Sequence, residues 1–208
     1  MSIWCGSLPL VLASQSKARQ MLLRNAGIDF EVVPADIDER AIQDKSGLTA
    51  PGQIAGLLAE QKALAVSRQR DRQWVVGADQ TLALGNKIFN KPAGRAEARA
   101  QLKQLAGRRH ELHSAISVAI ADKIKFECVA VAHMTMRSLS DHELDIYLDA
   151  AGEAVTTSVG AYQLEGLGVH LFKRIEGDHF TILGLPLLPL LDFLRFRGLL
   201  AISEPIRQ

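Results

Sequence analysis

The chain has 208 residues, of which 48% are hydrophobic and 23% are charged, and its formal net charge is +1. This composition excludes a disordered or fibrous chain, and the near-neutral charge gives no broad basic surface for nucleic acid or an anionic membrane. The length fits one large domain or two small lobes, and we expect a single domain over residues 1–208.

The cysteines and the N-terminus indicate the compartment. Cys5 and Cys128 lie far apart and form no C-x-x-C pair, so neither a disulfide framework nor a zinc site is expected. Residues 1–6 lack the basic and long apolar segments of a signal peptide. The apolar stretch at residues 183–191 is interrupted by glycine and proline and is too short to span a bilayer. We therefore expect a cytoplasmic protein that makes no contact with membranes or nucleic acid.

The first predicted unit is a strand, a turn and a helix. Residues 8–13 are a short apolar run of strand length, and the next apolar residues recur at helical spacing until Gly27. A second strand is predicted at residues 30–33, and an acidic loop follows at residues 36–39. The next helix is expected to begin near Pro51, since proline suits the first turn of a helix.

The middle of the chain continues this alternation. Residues 74–78 are again a short apolar run, which predicts a strand with Asp79 at its carboxyl end. Such strand ends are where open α/β sheets bind their ligands. A helix is predicted at residues 96–106, and residues 114–120 and 128–136 are predicted to be paired strands because polar and apolar side chains roughly alternate.

The last third of the chain supplies the remaining elements. Ser140 and Glu143 form a capping box that predicts the start of a helix. A glycine-rich loop at residues 160–168, a strand at 169–175 and a final helix at 185–196 follow. Because strands and helices alternate, we expect an α/β fold with a mixed, twisted sheet flanked by helices.

Hydroxyl and basic side chains cluster after the first predicted strand. Ser14, Ser16, Lys17 and Arg19 stand where the strand turns into a helix. Free backbone amides and the positive end of the helix dipole attract phosphate at such a turn. The alternative is that Ser16 only caps the helix and that Lys17 and Arg19 are solvated.

Two acidic residues and two lysines are the other candidates. Asp79, directly after an apolar strand, either faces a cleft, where it binds a cation or water, or caps a helix. Glu39 is by itself a surface residue, but with Asp79 beside a phosphate site it would suit Mg²⁺. A solvated side chain is the default expectation for Lys62 on its helix rim. Lys91 precedes Pro92, which favours an extended backbone and a fixed side-chain direction.

Five sequence blocks, taken together, resemble the Maf family of nucleoside triphosphate pyrophosphatases. In the family's order they are Leu-Ala-Ser-Gln-Ser-Lys-Ala-Arg at 12–19, Gly-Ala-Asp-Gln at 77–80, Lys-Pro at 91–92, the glycine-rich residues 158–168, and Gly-Leu-Pro-Leu at 184–187. The resemblance implies an elongated, two-lobed α/β fold similar to the inosine triphosphate pyrophosphatases, with a cleft across the sheet. Members of the family are often homodimers.

The resemblance also implies an activity and a set of residues. The family hydrolyses the bond between the α and β phosphates to give a nucleoside monophosphate and pyrophosphate, with a divalent metal such as Mg²⁺ or Mn²⁺. Asp79 matches the family's catalytic acidic residue, a proton acceptor or metal ligand, and Glu39 resembles its metal-binding partner. The candidate phosphate-binding residues are Ser14, Ser16, Arg19, Lys62 and Lys91.

Three positions bear on the base: Ala18, Gln80 and Glu165. Gln80 and Glu165 resemble the branch of the family that cleaves 7-methyl-GTP, and a carboxylate suits guanine because guanine N1 and N2 are hydrogen-bond donors. Lys17 and Ala18 stand where that branch has proline and tryptophan, so a stacking surface is absent at this point. The alternatives are a dTTP and UTP pyrophosphatase of the same family, and a nucleotide-binding regulator of cell division with little catalysis.

Overall fold

The structure is a computed structural model that describes residues 3–202, so the ends of the expected 1–208 domain lie outside the described residues. The strands are β1 Leu10–Leu12, β2 Phe30–Val32, β3 Val75–Leu84, β4 Lys87–Phe89, β5 Arg109–Ile120, β6 Lys123–Met136 and β7 Phe172–Glu176. The helices are α1 Lys17–Asn25, α2 Glu39–Ser46, α3 Pro51–Ser67, α4 Arg95–Leu105, α5 Asp141–Ala151, α6 His179–Ile182 and α7 Leu187–Phe196.

All of these strands belong to one mixed sheet. Its order is β2-β1-β3-β5-β6-β7, and β4 pairs with the end of β3. β1 is parallel to β2 and β3, whereas β3, β5, β6 and β7 pair antiparallel. The predicted α/β fold with a mixed sheet and flanking helices is therefore confirmed.

One face of the sheet carries two separate hydrophobic clusters. Near β1, the side chains of Leu12, Val76 and Ala78 pack against α1 and α7. Further along the same face, Leu82 and Leu112 pack against α4 and α5. Because side chains alternate along β3, Gln80 lies on this face between the two clusters.

The opposite face of the sheet is covered by α3. A Cβ atom on Gly77 would lie 2.1 Å from the carbonyl oxygen of Ala59 and 2.6 Å from the nitrogen of Ala63, so only glycine allows this approach. Asp79 is two residues further along β3 and points to the same face. The close packing therefore sets the distance between Asp79 and side chains of α3.

β3 is longer than the sequence predicts. The run at residues 74–78 was expected to end at Asp79, but the strand continues to Leu84 because β5 pairs with residues 75–83 and β4 with residues 82–84. Asp79 therefore lies in mid-strand. It is instead just beyond the carboxyl end of β1, whose pairing with β3 ends at Leu12 and Val76.

Two further expectations are corrected. Glu39 was predicted to lie in an acidic loop, but it is the first residue of α2, which Asp38 caps by accepting a hydrogen bond from Ala41 N at 2.9 Å. α2 has no buried residue, so it leaves no apolar periodicity in the sequence. The last strand begins at Phe172 rather than at residue 169, because residues 167–171 form a 3₁₀ turn.

Within residues 3–202, no helix is both long enough and apolar enough to cross a lipid bilayer.

Candidate active site

The turn between β1 and α1 orients two serines. Ser16 is the N-cap of α1, and its Oγ accepts a hydrogen bond from Arg19 N at 3.4 Å. Ser14 Oγ accepts from Ser16 N at 3.3 Å and from Arg19 Nη1 at 3.0 Å. Ser16 therefore has the capping role that the sequence offered as an alternative, while Ser14 is buried against the arginine.

Arg19 is fixed from both sides rather than solvated. Its Nε donates to Gly184 O at 2.8 Å, and its Nη1 donates to Ala78 O at 2.7 Å. Burial lowers the pKa of Arg19 below its ordinary value, and the charges of Asp79 and Glu39 oppose this shift. The guanidinium keeps its charge in proteins. No residue in the described part of the chain accepts a hydrogen bond from Nη2, so this nitrogen is left for a ligand.

Gly184 allows Arg19 and Gln80 to lie close together. Its φ is +86°, a backbone conformation that side-chain-bearing residues rarely adopt. A Cβ atom at this position would lie 3.3 Å from Arg19 Nη2 and 3.7 Å from Gln80 Cδ. The glycine that opens the Gly-Leu-Pro-Leu block therefore has a physical purpose, because any side chain there would press between a phosphate candidate and a base candidate.

Lys62 joins the two acidic residues. From α3, its Nζ lies 2.6 Å from Asp79 Oδ1 and 2.9 Å from Glu39 Oε1. The side chains of Lys62 and Asp79 are each only 11% exposed, whereas that of Glu39 is 52% exposed. The expectation of a solvated lysine is therefore wrong, because a buried carboxylate and a helix-borne carboxylate both hold its ammonium group.

The two carboxylates fit the donor set of a hard cation. Both already converge on one positive charge, and Asp79 Oδ2 and Glu39 Oε2 accept no hydrogen bond from residues 3–202. Mg²⁺ is usually held by one or two carboxylates together with substrate phosphates and water. In the described ranges no group of three or more His, Cys, Asp or Glu side chains could hold a metal alone, so the substrate would complete such a site.

Other predicted residues are not joined to this centre. Lys91 is exposed, and within residues 3–202 no hydrogen bond or ion pair holds it. Glu165 is also exposed, in the glycine-rich loop, and is likewise without such a bond in that part of the chain. Ala18 packs against the hydrophobic cluster near β1. The structure thus brings together Ser14, Arg19, Lys62, Asp79 and Glu39.

Gln80 has partners that the sequence did not reveal. Its Nε2 donates to Ser114 Oγ at 2.8 Å, to Ile182 O at 3.0 Å and to Thr181 O at 3.2 Å. Ser114 lies opposite Gln80 in the register of β3 and β5. In the sequence, Ser114 is only a serine among the apolar residues of a predicted strand, and this pattern does not identify Gln80 as its partner.

Comparison with known proteins supplies an independent finding. A profile of the Maf-like protein family matches residues 9–196. A nucleoside triphosphate pyrophosphatase of Bradyrhizobium diazoefficiens is 65% identical over 202 residues, which cover 97% of this chain and 100% of that protein. One of the same name from Rhodopseudomonas palustris is 64% identical over 201 residues, with 97% and 100% covered. A 7-methyl-GTP pyrophosphatase of Brucella abortus is 48% identical over 192 residues, with 91% and 96% covered.

Proposed function

This chain belongs to the Maf family, and we propose that it hydrolyses the bond between the α and β phosphates of a nucleoside triphosphate. Water attacks the α phosphorus, the bond from this phosphorus to the oxygen that bridges to the β phosphate breaks, and pyrophosphate departs. The other product is the nucleoside monophosphate. The observation that carries the proposal is the buried Lys62 ammonium between Asp79 and Glu39, beside the guanidinium of Arg19. Relatives that are 65% and 64% identical are named nucleoside triphosphate pyrophosphatase, a hydrolase.

Each of these residues has a role in such a reaction. Asp79 orients or deprotonates the attacking water. Arg19, through its free Nη2, and Lys62 and Lys91 stabilise the negative charge that develops on the departing pyrophosphate. Ser14 and the amides at the start of α1 bind phosphate oxygens. Asp79 and Glu39 would hold a Mg²⁺ or Mn²⁺ ion, which would neutralise phosphate charge.

We propose a guanine-type base, of which 7-methyl-GTP is an example. Gln80 presents a carbonyl oxygen and Glu165 a carboxylate, and both are acceptors for the N1 and N2 donors of guanine. Uracil and thymine offer one such donor between two acceptors. The 7-methyl-GTP pyrophosphatase that is 48% identical to this chain agrees with this choice.

The activity is tested by pyrophosphate release from 7-methyl-GTP, GTP, dTTP, UTP and CTP, each with and without Mg²⁺ or Mn²⁺. We expect release that depends on the metal and is fastest with a guanine-type substrate. Fastest release from dTTP or UTP would contradict the proposed guanine-type base but would still support the proposed hydrolase activity. Release from none of them would favour the alternative of a nucleotide-binding regulator.

Asp79→Asn tests the catalytic role. The amide cannot accept a proton and binds a cation poorly, so we expect kcat to fall by a factor of about 10² or more. Asp122→Asn is the matched control, because Asp122 is an exposed carboxylate that pairs with Arg68 at 3.1 Å. Turnover close to that of the unsubstituted chain by a folded Asp79→Asn variant would contradict the assignment.

We further propose that the protein is a cytoplasmic homodimer. Both cysteines are free, which is consistent with a reducing compartment. In residues 3–202, β7 pairs only with the end of β6, at residues 133–136, so the edge of β6 at residues 123–132 is open to a second copy.

A further inference from the structure

The side-chain amide of Gln80 is held by three acceptors. Its terminal nitrogen lies 2.8 Å from Ser114 Oγ, 3.0 Å from Ile182 O and 3.2 Å from Thr181 O. Main-chain carbonyl oxygens cannot donate, so the atom that faces two of them must be the NH₂ group. The orientation of the amide is therefore determined by its surroundings.

Ser114 connects this amide to the rest of the fold. It is fully buried, and its Oγ donates to Thr181 O at 2.7 Å. Since its single hydroxyl proton is used in that bond, a lone pair of Oγ is free to accept from Gln80 Nε2. Ser114 thus fixes both the glutamine and the main chain at Thr181, from a strand that carries no other candidate residue of the site.

The other end of the amide remains available. Gln80 Oε1 accepts no hydrogen bond from the described part of the chain, and Gln80 is partly exposed. Gly184 lies against both the amide carbon of Gln80 and the guanidinium of Arg19, so the Gln80 amide lies near the candidate phosphate-binding arginine. Gln80 therefore presents the acceptor Oε1 to the base, whereas its donor Nε2 is already bonded within the protein.

We propose that Ser114 is a positioning residue for base selection, which holds the Gln80 amide so that only Oε1 can meet the base. This inference rests on the proposed function, because it takes Gln80 as a reader of the base. With Oε1 presented, a ring with outward N–H groups, such as guanine, is favoured. Without Ser114, the amide loses one of its three acceptors, and the Thr181 carbonyl that also orients it loses its own hydrogen-bond donor. An amide held less firmly could turn and donate from its NH₂ group to the carbonyl oxygens of uracil or thymine, and discrimination would decrease.

The test compares product binding in the full-length protein, since nucleoside monophosphates bind without turnover. Calorimetry gives the ratio of Kd for UMP to Kd for GMP, and the Kd of inorganic pyrophosphate reports on the phosphate side alone. We expect Ser114→Ala to lower the ratio about fivefold, the effect of one neutral hydrogen bond, and to leave pyrophosphate affinity unchanged. A general structural defect would weaken both.

A second substitution shows whether Ser114 acts through Gln80. In a Gln80→Ala background, adding Ser114→Ala should not change the ratio further. The matched control is Ser117→Ala, another fully buried serine of β5 whose side chain points to the opposite face and binds Glu127 at 3.4 Å. This control should keep the original ratio.

Three results would overturn the inference: no preference for GMP in the unsubstituted protein, an unchanged ratio in Ser114→Ala, or an equal decrease in both backgrounds. If Ser114→Ala does not fold, amide proton exchange of Gln80 in the ¹⁵N-labelled, unsubstituted protein decides. The NH₂ of Gln80 must exchange far more slowly than that of exposed Gln69. Equal exchange rates contradict the proposed orientation.

These outcomes are separable from the fate of the proposed function. A protein that releases no pyrophosphate but shows a Ser114-dependent preference for GMP would contradict the hydrolase proposal and retain the positioning role. A protein that releases pyrophosphate but whose preference for GMP does not depend on Ser114 would support the hydrolase proposal and contradict the positioning role.

Discussion

At the scale of single residues, Arg19 joins three separate parts of the chain. Its guanidinium bonds to Ser14, to the carbonyl of Ala78 on β3 and to the carbonyl of Gly184 before α7. Burying a charge is costly unless it is hydrogen-bonded, and these bonds offset that cost. Its fixed fork, with one nitrogen left over, is suited to hold a phosphate at a set distance.

Arg19→Lys should therefore be a damaging change despite conserving the charge. One ammonium group cannot reach both carbonyls, and an unsatisfied buried acceptor costs about 1 to 3 kcal/mol. We expect a lower free energy of unfolding in urea and a decrease in kcat/KM of about tenfold or more. Arg24→Lys, at an exposed position of the same helix, is the control and should change neither quantity. Equal kcat/KM for both variants would contradict the role of Arg19.

His110 gives a prediction for pH. Its Nε2 lies 2.8 Å from Tyr162 Oη, and burial lowers the pKa of His110 to about 4. The unfolded chain takes up this proton near pH 6.5, whereas the folded protein does so only near pH 4, so the protein loses stability as the pH falls between these values. The loss amounts to roughly 3 kcal/mol.

Urea unfolding measured across that pH range tests the prediction. His110→Gln should be less stable at neutral pH, and its stability should decrease less on acidification. His142→Gln, at an exposed position of α5, should keep the full dependence. The same slope in all three proteins would show that His110 does not carry the effect.

Prediction from sequence had a clear limit at this scale. Five residues of the site could be named because their types and the resemblance to the Maf family single them out, although their roles in catalysis stay predictions: Ser14, Arg19, Glu39, Lys62 and Asp79. Ser114 could not be named, because its importance comes from a partner 67 residues away in the chain.

At the scale of elements, α2 is the least anchored helix near the site. None of its residues is buried, and it ends at Gly47 with a φ of +65°. The ion pair between Glu39 and Lys62, 2.9 Å long, ties its first turn to α3. A helix with so little buried surface opens easily.

Hydrogen exchange should show this difference. We expect the amides of α2 to exchange faster than those in the middle of α3, and Glu39→Gln to accelerate α2 further while α5 is unchanged. Exchange in α2 as slow as in α3 would contradict this account of its anchoring.

Element boundaries were predictable where periodicity or a cap marks them. α3 begins at Pro51 as predicted, and α5 follows the capping box at Ser140. α2 was missed because it has no apolar stripe, and α6 because it is a single turn. The end of β3 was misplaced because its second half is specified by pairing with β4 and β5, which local sequence does not show.

At the scale of the whole molecule, alternation of strands and helices predicted the α/β class and the mixed sheet correctly. Strand order could not be read from this alternation, since it depends on contacts between distant segments. The extent of the domain over residues 1–208 stays a prediction.

The proposed homodimer gives a prediction at this scale. β6 exposes Val129 by 46% and Val131 by 40% beside its open edge, and joining two such edges would cover them. Sedimentation velocity should give about twice the mass of one chain. Val131→Lys should shift the protein toward monomer, whereas Ile146→Lys, at another exposed apolar position, should not. A monomer at all concentrations would contradict the proposal.

β3 has a mechanical consequence for the enzyme. It pairs with β1 at one end and with β4 at the other, and residues 75–83 pair continuously with β5 in between. The site thus lies on one continuous strand rather than at a hinge. The helices packed against the two halves of β3 cannot move apart as rigid bodies unless hydrogen bonds between β3 and β5 break. The hydrophobic clusters on either side of Gln80 are therefore held at one spacing along β3, and the room beside Gln80 is set when the chain folds.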